Sequence, residues 1–248
     1  MNLSVADGYD EMSLIGARIV KSVIEDNPKA RLGLTTGRTP LGMYRLLSQW
    51  TADSLLDLSG VTIFTTEEYL GVGTRDKRSL YQWLKRAFLD PCRIRSAQIV
   101  RLQSESREPQ LACQYFEDRM RSVGGLDIVV EGIGTNAHVG FNEPGSPACA
   151  GTRITGILTE TRRYNFHYWR KEVPKYGMTI GLSGILAAKI VLLLASGKIK
   201  AEALRRAFCG PVTDEVPASH LQSVSNLEVV ADREAASLLC SSGKEDSR

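Results

Sequence analysis

The chain has 248 residues, 43% of them apolar and 24% charged, with a net charge of +3. That is an ordinary composition for a soluble globular protein with a full-sized core, and the weak charge argues against a nucleic-acid partner. No apolar run approaches the roughly 20 residues of a spanning helix, so no membrane partner is expected. The amino terminus, MNLSVADGYDEMS, carries acids where a secretory leader would carry bases, and a cytoplasmic location is expected. Cys92, Cys113, Cys149, Cys209 and Cys240 are odd in number, scattered and without a CxxC pair. They are expected to be free thiols, with neither a disulfide framework nor a zinc site.

Taken in chain order, apolar residues at helical spacing predict a helix from Met12 to Ile24. Arg31 to Thr35 reads as a short strand, followed by a glycine turn and a helix from Pro40 to Trp50. Val61 to Thr66 is a β-branched strand, Leu80 to Leu89 a helix, Ile99 to Leu102 a strand and Pro109 to Arg121 a helix. A buried strand runs over Leu126 to Val130, and another over Met178 to Leu182. Ser183 is placed to cap a helix from Gly184 to Ala188. Ile190 to Ala195 is the most continuous apolar strand, Ala201 to Phe208 a helix and Leu227 to Ala231 the last strand. The polar tail from Ser241 to Arg248 is expected to fray. Apolar strands alternating with helices predict one α/β domain over residues 1–248, Rossmann-like, with a mostly parallel sheet and helices on both faces.

Three strand ends carry chemistry. TTGRTP, from Thr35 to Pro40, joins a strand to a helix and matches neither a P-loop nor GxGxxG. Gly37 lets the backbone approach a ligand, the threonines at 35, 36 and 39 offer hydroxyls, and Arg38 adds charge at a helix start suited to an anion. Glu67 and Glu68 follow a strand, and a carboxylate there can serve as a general base or cap the next turn; at most one is expected to face a shared site. In GIGTNAHVGFNEPGSP, Asn136 precedes His138 by two residues and Glu143 follows it by five. Lys200, after the turn Ser196-Gly197, is a further candidate for a phosphate, and Arg153, Arg162, Arg163 and Arg170 are candidates of the same kind. No histidine or cysteine pair has metal-ligand spacing, so neither a metal nor any other cofactor is expected.

These segments together resemble the glucosamine-6-phosphate deaminase/isomerase family, whose more distant relatives are the 6-phosphogluconolactonases. YDEMS, TTGRTPLGMYRLL, FTTEEYLGV, GIGTNAHVGFNEPGSP and VPKYGMTIGLSGILAAKIVLLLASGKIKAEAL carry the resemblance across nearly the whole chain, and FNEP favours the deaminase branch. The resemblance implies an enzyme on a phosphorylated amino sugar. The ring opens, a proton moves between C2 and C1, and water expels ammonia, which places the chemistry with hydrolases as well as isomerases. It assigns ring opening to His138 with Glu143 orienting it, and phosphate binding to Lys200 and the Thr36–Thr39 loop.

The chain also departs from the family pattern. Glu67 and Asn136 stand where the family has aspartates, and Ala137 where it has glycine. His167 falls at the second arginine of the phosphate site, with Arg163 or Arg170 as substitutes, and Thr155 replaces a lysine of the family's allosteric site. An isomerase that keeps the nitrogen and a non-catalytic sugar-phosphate binder stay as alternatives, and a homo-oligomer is left open.

Overall fold

A computed structural model of the protein describes residues 1–240. Seven strands form one all-parallel sheet: β1 (Asn2–Ala6), β2 (Arg31–Leu34), β3 (Thr62–Thr65), β5 (Ile99–Val100), β6 (Ile128–Gly132), β9 (Ile190–Ala195) and β10 (Leu227–Asp232). Their order is β1-β10-β9-β6-β2-β3-β5. Three short strands, β4 (Glu67–Tyr69), β7 (Arg153–Gly156) and β8 (Tyr176–Thr179), form a separate antiparallel sheet in the order β4-β8-β7. The helices are α1 (Tyr9–Asp26), α2 (Leu41–Ala52), α3 (Leu80–Leu84), α4 (Pro109–Ser122), α5 (Thr159–Trp169), α6 (Leu182–Leu186), α7 (Ala201–Cys209) and α8 (Arg233–Ala236).

The alternation of side chains along each parallel strand feeds two cores, as a sheet covered on both faces requires. Leu192 and Leu194 of β9 point with Ile128 and Val130 of β6 to the side covered by α1 and α2. Val191 and Leu193 point with Val129 to the side covered by α4, α6 and α7. A third, smaller cluster of Tyr69, Val72, Leu80, Phe141, Ile157 and Val173 lies beneath the antiparallel sheet. In chain order the main sheet grows outward from β2 to β3 and β5, then restarts at β6 and grows the other way. The reversal between β2 and β6 is the point where open α/β sheets leave a crevice beyond their strand ends.

Several expectations are corrected. The strand expected over Met178 to Leu182 ends at Thr179 and belongs to the small sheet, because Gly181 and the chain after it turn into α6. Ser183 does not cap that helix: it lies inside α6, and its hydroxyl donates to the Ala150 carbonyl at 2.9 Å. The segment expected as one helix from Leu80 to Leu89 widens into a π-helical turn over Lys85–Leu89. Cys209 and Cys240 are bonded as a disulfide rather than free, since the end of α7 and the segment after α8 converge to a Cα separation of 6.1 Å. Cys92, Cys113 and Cys149 are free thiols. The expected fraying of Ser241 to Arg248 lies outside the described residues. Among the described residues, no helix is long and apolar enough to cross a membrane, and no group of three or more His, Cys, Asp or Glu side chains could hold a metal.

The two adjacent acids of β4 have opposite fates, as alternation demands. Glu68 points under α3 and accepts from the backbone N–H groups of Tyr69 (2.8 Å), Leu80 (3.0 Å) and Tyr81 (3.0 Å), and from the Ser79 hydroxyl (2.7 Å). It therefore satisfies amides at the start of α3, which have no partner within the helix. Burial raises the Glu68 carboxyl above its usual range, and those four donors hold the rise in check. Glu68→Ala should remove all four acceptor contacts and destabilise the fold by about 3 kcal/mol. The check is urea denaturation, in which the midpoint should drop with the slope unchanged.

Candidate active site

A cleft opens above the switch between β2 and β6. Its walls come from the 35–40 loop, the ends of β4 and β6, the 132–141 loop, one face of α5, and Lys200. Of the residues singled out from the sequence, Thr35, Thr36, Gly37, Arg38, Thr39, Glu67, His138 and Lys200 line it.

Glu67 is 5% exposed and held by four donors. Oε1 accepts from Thr35 Oγ1 (3.0 Å), the Thr36 N–H (2.9 Å) and Thr36 Oγ1 (3.0 Å), and Oε2 accepts from Thr66 Oγ1. Burial raises the carboxyl above its usual range, and the threonine donors oppose that rise. The carboxyl is dry enough to be a stronger base than one in water, while its fixed donors favour the charged form. This geometry also changes the reading of the loop. Thr35 and Thr36 direct their donors to Glu67, so Gly37, Arg38 and Thr39 are left as the loop's anion-facing part.

The loop's shape has local causes. Gly37 has φ of +113°, a conformation that side chains disfavour. The buried Tyr44 hydroxyl donates to the Thr35 carbonyl at 2.6 Å. Tyr9, at the start of α1, donates through its hydroxyl to the Arg38 carbonyl and accepts from the Gly42 N–H, both at 2.8 Å. Pro40 is the residue before α2 rather than its first helical residue.

His138 is reached through Asn136. The Asn136 amide donates to Glu143 Oε2 at 2.8 Å, which leaves its oxygen facing His138: Oδ1 lies 2.7 Å from Nδ1 and accepts from the His138 N–H at 3.2 Å. Since Oδ1 can only accept, it faces a proton on Nδ1, so that in the neutral ring Nε2 is the nitrogen with the lone pair. Glu143 Oε2 is also 3.4 Å from Nδ1, and Glu143 Oε1 accepts from the Leu158 N–H at 3.2 Å. Burial alone would raise the Glu143 carboxyl, but its contacts with His138, Thr161 and Asn136 bring it below its usual value. Glu143 and Asn136 are buried and stand behind the histidine rather than in the cleft wall. The ring packs so closely on Gly134 that a methyl there would sit 2.3–2.5 Å from its atoms. Ala137, with φ of +68°, occupies the left-handed region that favours the glycine of the family pattern.

Lys200 closes a 3₁₀ turn ahead of α7 and is only 9% exposed. Burial lowers its ammonium to about 8. Its Nζ lies 5.4 Å from the Tyr164 ring centroid. The turn is tied down by Asp232 at the end of β10, which accepts from the Gly197 N–H at 2.9 Å and from the Ser196 hydroxyl, and caps α8 through the Ala235 N–H.

His167 does not join this set. It is exposed on α5, with its ring 5.9 Å from that of Phe166, and it does not line the cleft. The helix turns Thr161, Tyr164, Asn165 and Trp169 inward instead, at spacings that share one face, and His167 falls between those positions. Asn165 donates to the Tyr69 hydroxyl at 2.8 Å. Arg153 is likewise not a ligand of the cleft: it donates to Asn142 Oδ1 (2.8 Å) and Ser146 Oγ (2.9 Å), bracing the FNEP loop from behind. Arg162, Arg163 and Arg170 do not line the cleft either. Tyr9, Thr66, Thr161 and Asp232 were not singled out from the sequence. For Asp232 a signal existed, an acid ending an apolar strand.

The family profile described as glucosamine-6-phosphate isomerases/6-phosphogluconolactonase matches residues 10–230. A glucosamine-6-phosphate deaminase of Thermoanaerobacter sp. (strain X514) is 34% identical over 241 residues, covering 96% of this chain and 95% of that protein. Another, of Halalkalibacterium halodurans, is 37% identical over 237 residues, covering 95% and 96%. Among solved structures, a monomeric glucosamine-6-phosphate deaminase superposes with a TM-score of 0.93 at 35% identity, covering 96% of this chain and 100% of that one. A 6-phosphogluconolactonase from Trypanosoma brucei, at 17% identity and a TM-score of 0.79 over 96% and 98% of the two chains, shares the fold alone. These names correct the expected hydrolase class, since they are those of deaminases and isomerases. The chain belongs to the glucosamine-6-phosphate isomerase/6-phosphogluconolactonase family.

Proposed function

We propose that this protein is a glucosamine-6-phosphate deaminase, converting a hexosamine 6-phosphate to a ketose phosphate and ammonia. The observation that carries the reading is the convergence of Glu67, His138 and Lys200 on one cleft. Names of relatives that match nearly the full chain support the same reaction. His138 Nε2 takes the proton of the anomeric hydroxyl and returns one to the ring oxygen, which opens the sugar. Glu67 takes the C2 proton and delivers it to C1 while one proton passes from the amine nitrogen to O1, so the aldehyde becomes an alcohol and the C2–N bond an imine. Water adds to that carbon and ammonia leaves. Lys200, with Gly37, Arg38 and Thr39 at the start of α2, holds the phosphate.

A sugar phosphate carries charge that a bilayer excludes, so the cytoplasm is the proposed location. The solved relative described as monomeric supports a single chain as the working unit in preference to a homo-oligomer.

Three measurements test this. Purified protein given glucosamine 6-phosphate in deuterated water should release ammonia and exchange the C2 proton. In Glu67→Gln the exchange should fall by about 10²- to 10⁴-fold. Exchange without ammonia would identify a nitrogen-retaining isomerase, and binding without either would identify a non-catalytic binder. Gly134→Ala should displace the His138 ring and lower kcat by roughly 10²-fold while the circular dichroism spectrum is unchanged. Lys200→Ala should raise KM by about 10- to 100-fold, the equivalent of losing one charged hydrogen bond. Because burial lowers the Lys200 ammonium to about 8, wild-type KM should climb as pH rises through that value, and Lys200→Ala should lack the climb.

A further inference from the structure

Glu131 is an unusual side chain in this fold. It sits in the middle of the parallel sheet, on β6, is 0% exposed, and neither carboxyl oxygen has a hydrogen-bond partner among the described residues. The sheet register places it one residue beyond the Leu34–Val130 pair, opposite Thr35, and beside Leu193 of β9. It alternates with Val130 and so shares the face of Val129, which is lined with apolar side chains. A buried carboxylate without partners costs far more than a buried carboxylic acid.

The groups facing Glu131 are few. Glu67 from β4 acts on it through its charge, and the Thr35 hydroxyl and Gly140 N–H lie near enough to favour its charged form. Tyr44 of α2 is the remaining titratable group coupled to both carboxyls. β9 presents the apolar Val191, Leu193 and Ala195 on that face. Burial, with the charge of Glu67 next, pushes the Glu131 carboxyl well above its usual range. The asymmetry between the two acids is geometric: four donors converge on Glu67 and none on Glu131.

We propose that Glu131 is the proton-holding partner of Glu67: the two buried carboxyls share one negative charge across the Thr35 hydroxyl, and the proton kept on Glu131 leaves Glu67 as the ionised base of the cleft. Thr35 Oγ1 already donates to Glu67 Oε1. The Thr35 hydroxyl stands next to Glu131 in the sheet register, so the two carboxyls act on each other across it through charge, with no proton transfer and no further reactant needed. Two like charges held close in a dry site do not ionise together, so the protons leave in two steps that belong to the pair. Glu131 touches no substrate in this scheme; it is a positioning residue for charge.

The inference rests on the reading of Glu67 as the base, but its test uses no substrate and so stands or falls apart from the deaminase assay. In protein labelled with ¹³C at the glutamate carboxyls, wild type should show one carboxyl titrating well above the others. Glu131→Gln should abolish that titration, and Glu67→Gln should move it downward because the neighbouring charge is gone. In the range between the usual carboxylate pKa and that of Glu131, the folded state binds one proton more than the unfolded. The folded-to-unfolded ratio should therefore fall about tenfold per pH unit in wild type from this group, and that component should vanish in Glu131→Gln. The proposal is overturned if every glutamate titrates in the ordinary range, or if Glu67→Gln leaves the late titration in place. The second arm decides even if Glu131→Gln fails to fold.

Discussion

The site depends on keeping one carboxylate charged where water is excluded. Glu67 lies at a strand end, walled by the sheet below and the small antiparallel sheet beside it, and it stays usable only because donors from three threonines converge on it. That requirement organises its surroundings. Thr35 and Thr36 must sit at the end of β2, which the parallel pairing of β2 with β3 and β6 secures. Their engagement with Glu67 sets where the phosphate loop begins, and Tyr44 and Tyr9 then hold the loop to α2 and α1. Base and anion loop are thus one structure, so a change in either is felt by the other.

The charges of the protein are divided between the two ends of the sheet. At the end away from the cleft, Asp127 is paired with Arg31 through contacts of 2.6 and 2.7 Å and with Lys189 at 2.8 Å. Burial would raise its carboxyl, but these cations hold it far below the usual range. Cation and anion are matched there, which serves cohesion. At the cleft end the charged groups are mismatched: Glu67 has hydroxyl and amide partners but no cation, and burial depresses the Lys200 ammonium. Such groups gain by meeting a ligand, whereas Arg31 and Asp127 do not.

The fold was legible in the sequence wherever burial was two-sided. β9, Ile190–Ala195, is apolar at every position and was read with its correct bounds. What escaped reading had a weak or short signal. α5 reads TETRRYNFHYW, a polar segment that buries little against the core, so its periodicity is faint, yet it forms one wall of the cleft. β4 and β7 span three and four residues, too few for alternation to register. Within the site, adjacency alone does not separate Glu67 from Glu68; the family resemblance points to Glu67, and the direction of the chain after β3 gives the physical reason. His167 was placed by a loose correspondence across a helix that had not been recognised. Glu131 was missed because a strand read as an apolar run was ended at Val130, two residues early. The pairing of Cys209 with Cys240 has no local trace, since 31 positions separate them.

Asn136 has a consequence of its own. A side-chain amide has two unlike ends, and here one gives a proton to Glu143 while the other receives from the histidine side. The link is polar, directed and unable to titrate. An acid at the same place would need to gain or lose a proton to face both neighbours, and its message to the ring would change with the acidity of the medium. The amide instead works as a fixed connector: it tells the imidazole which way to face at any pH and leaves the question of charge to the groups on either side.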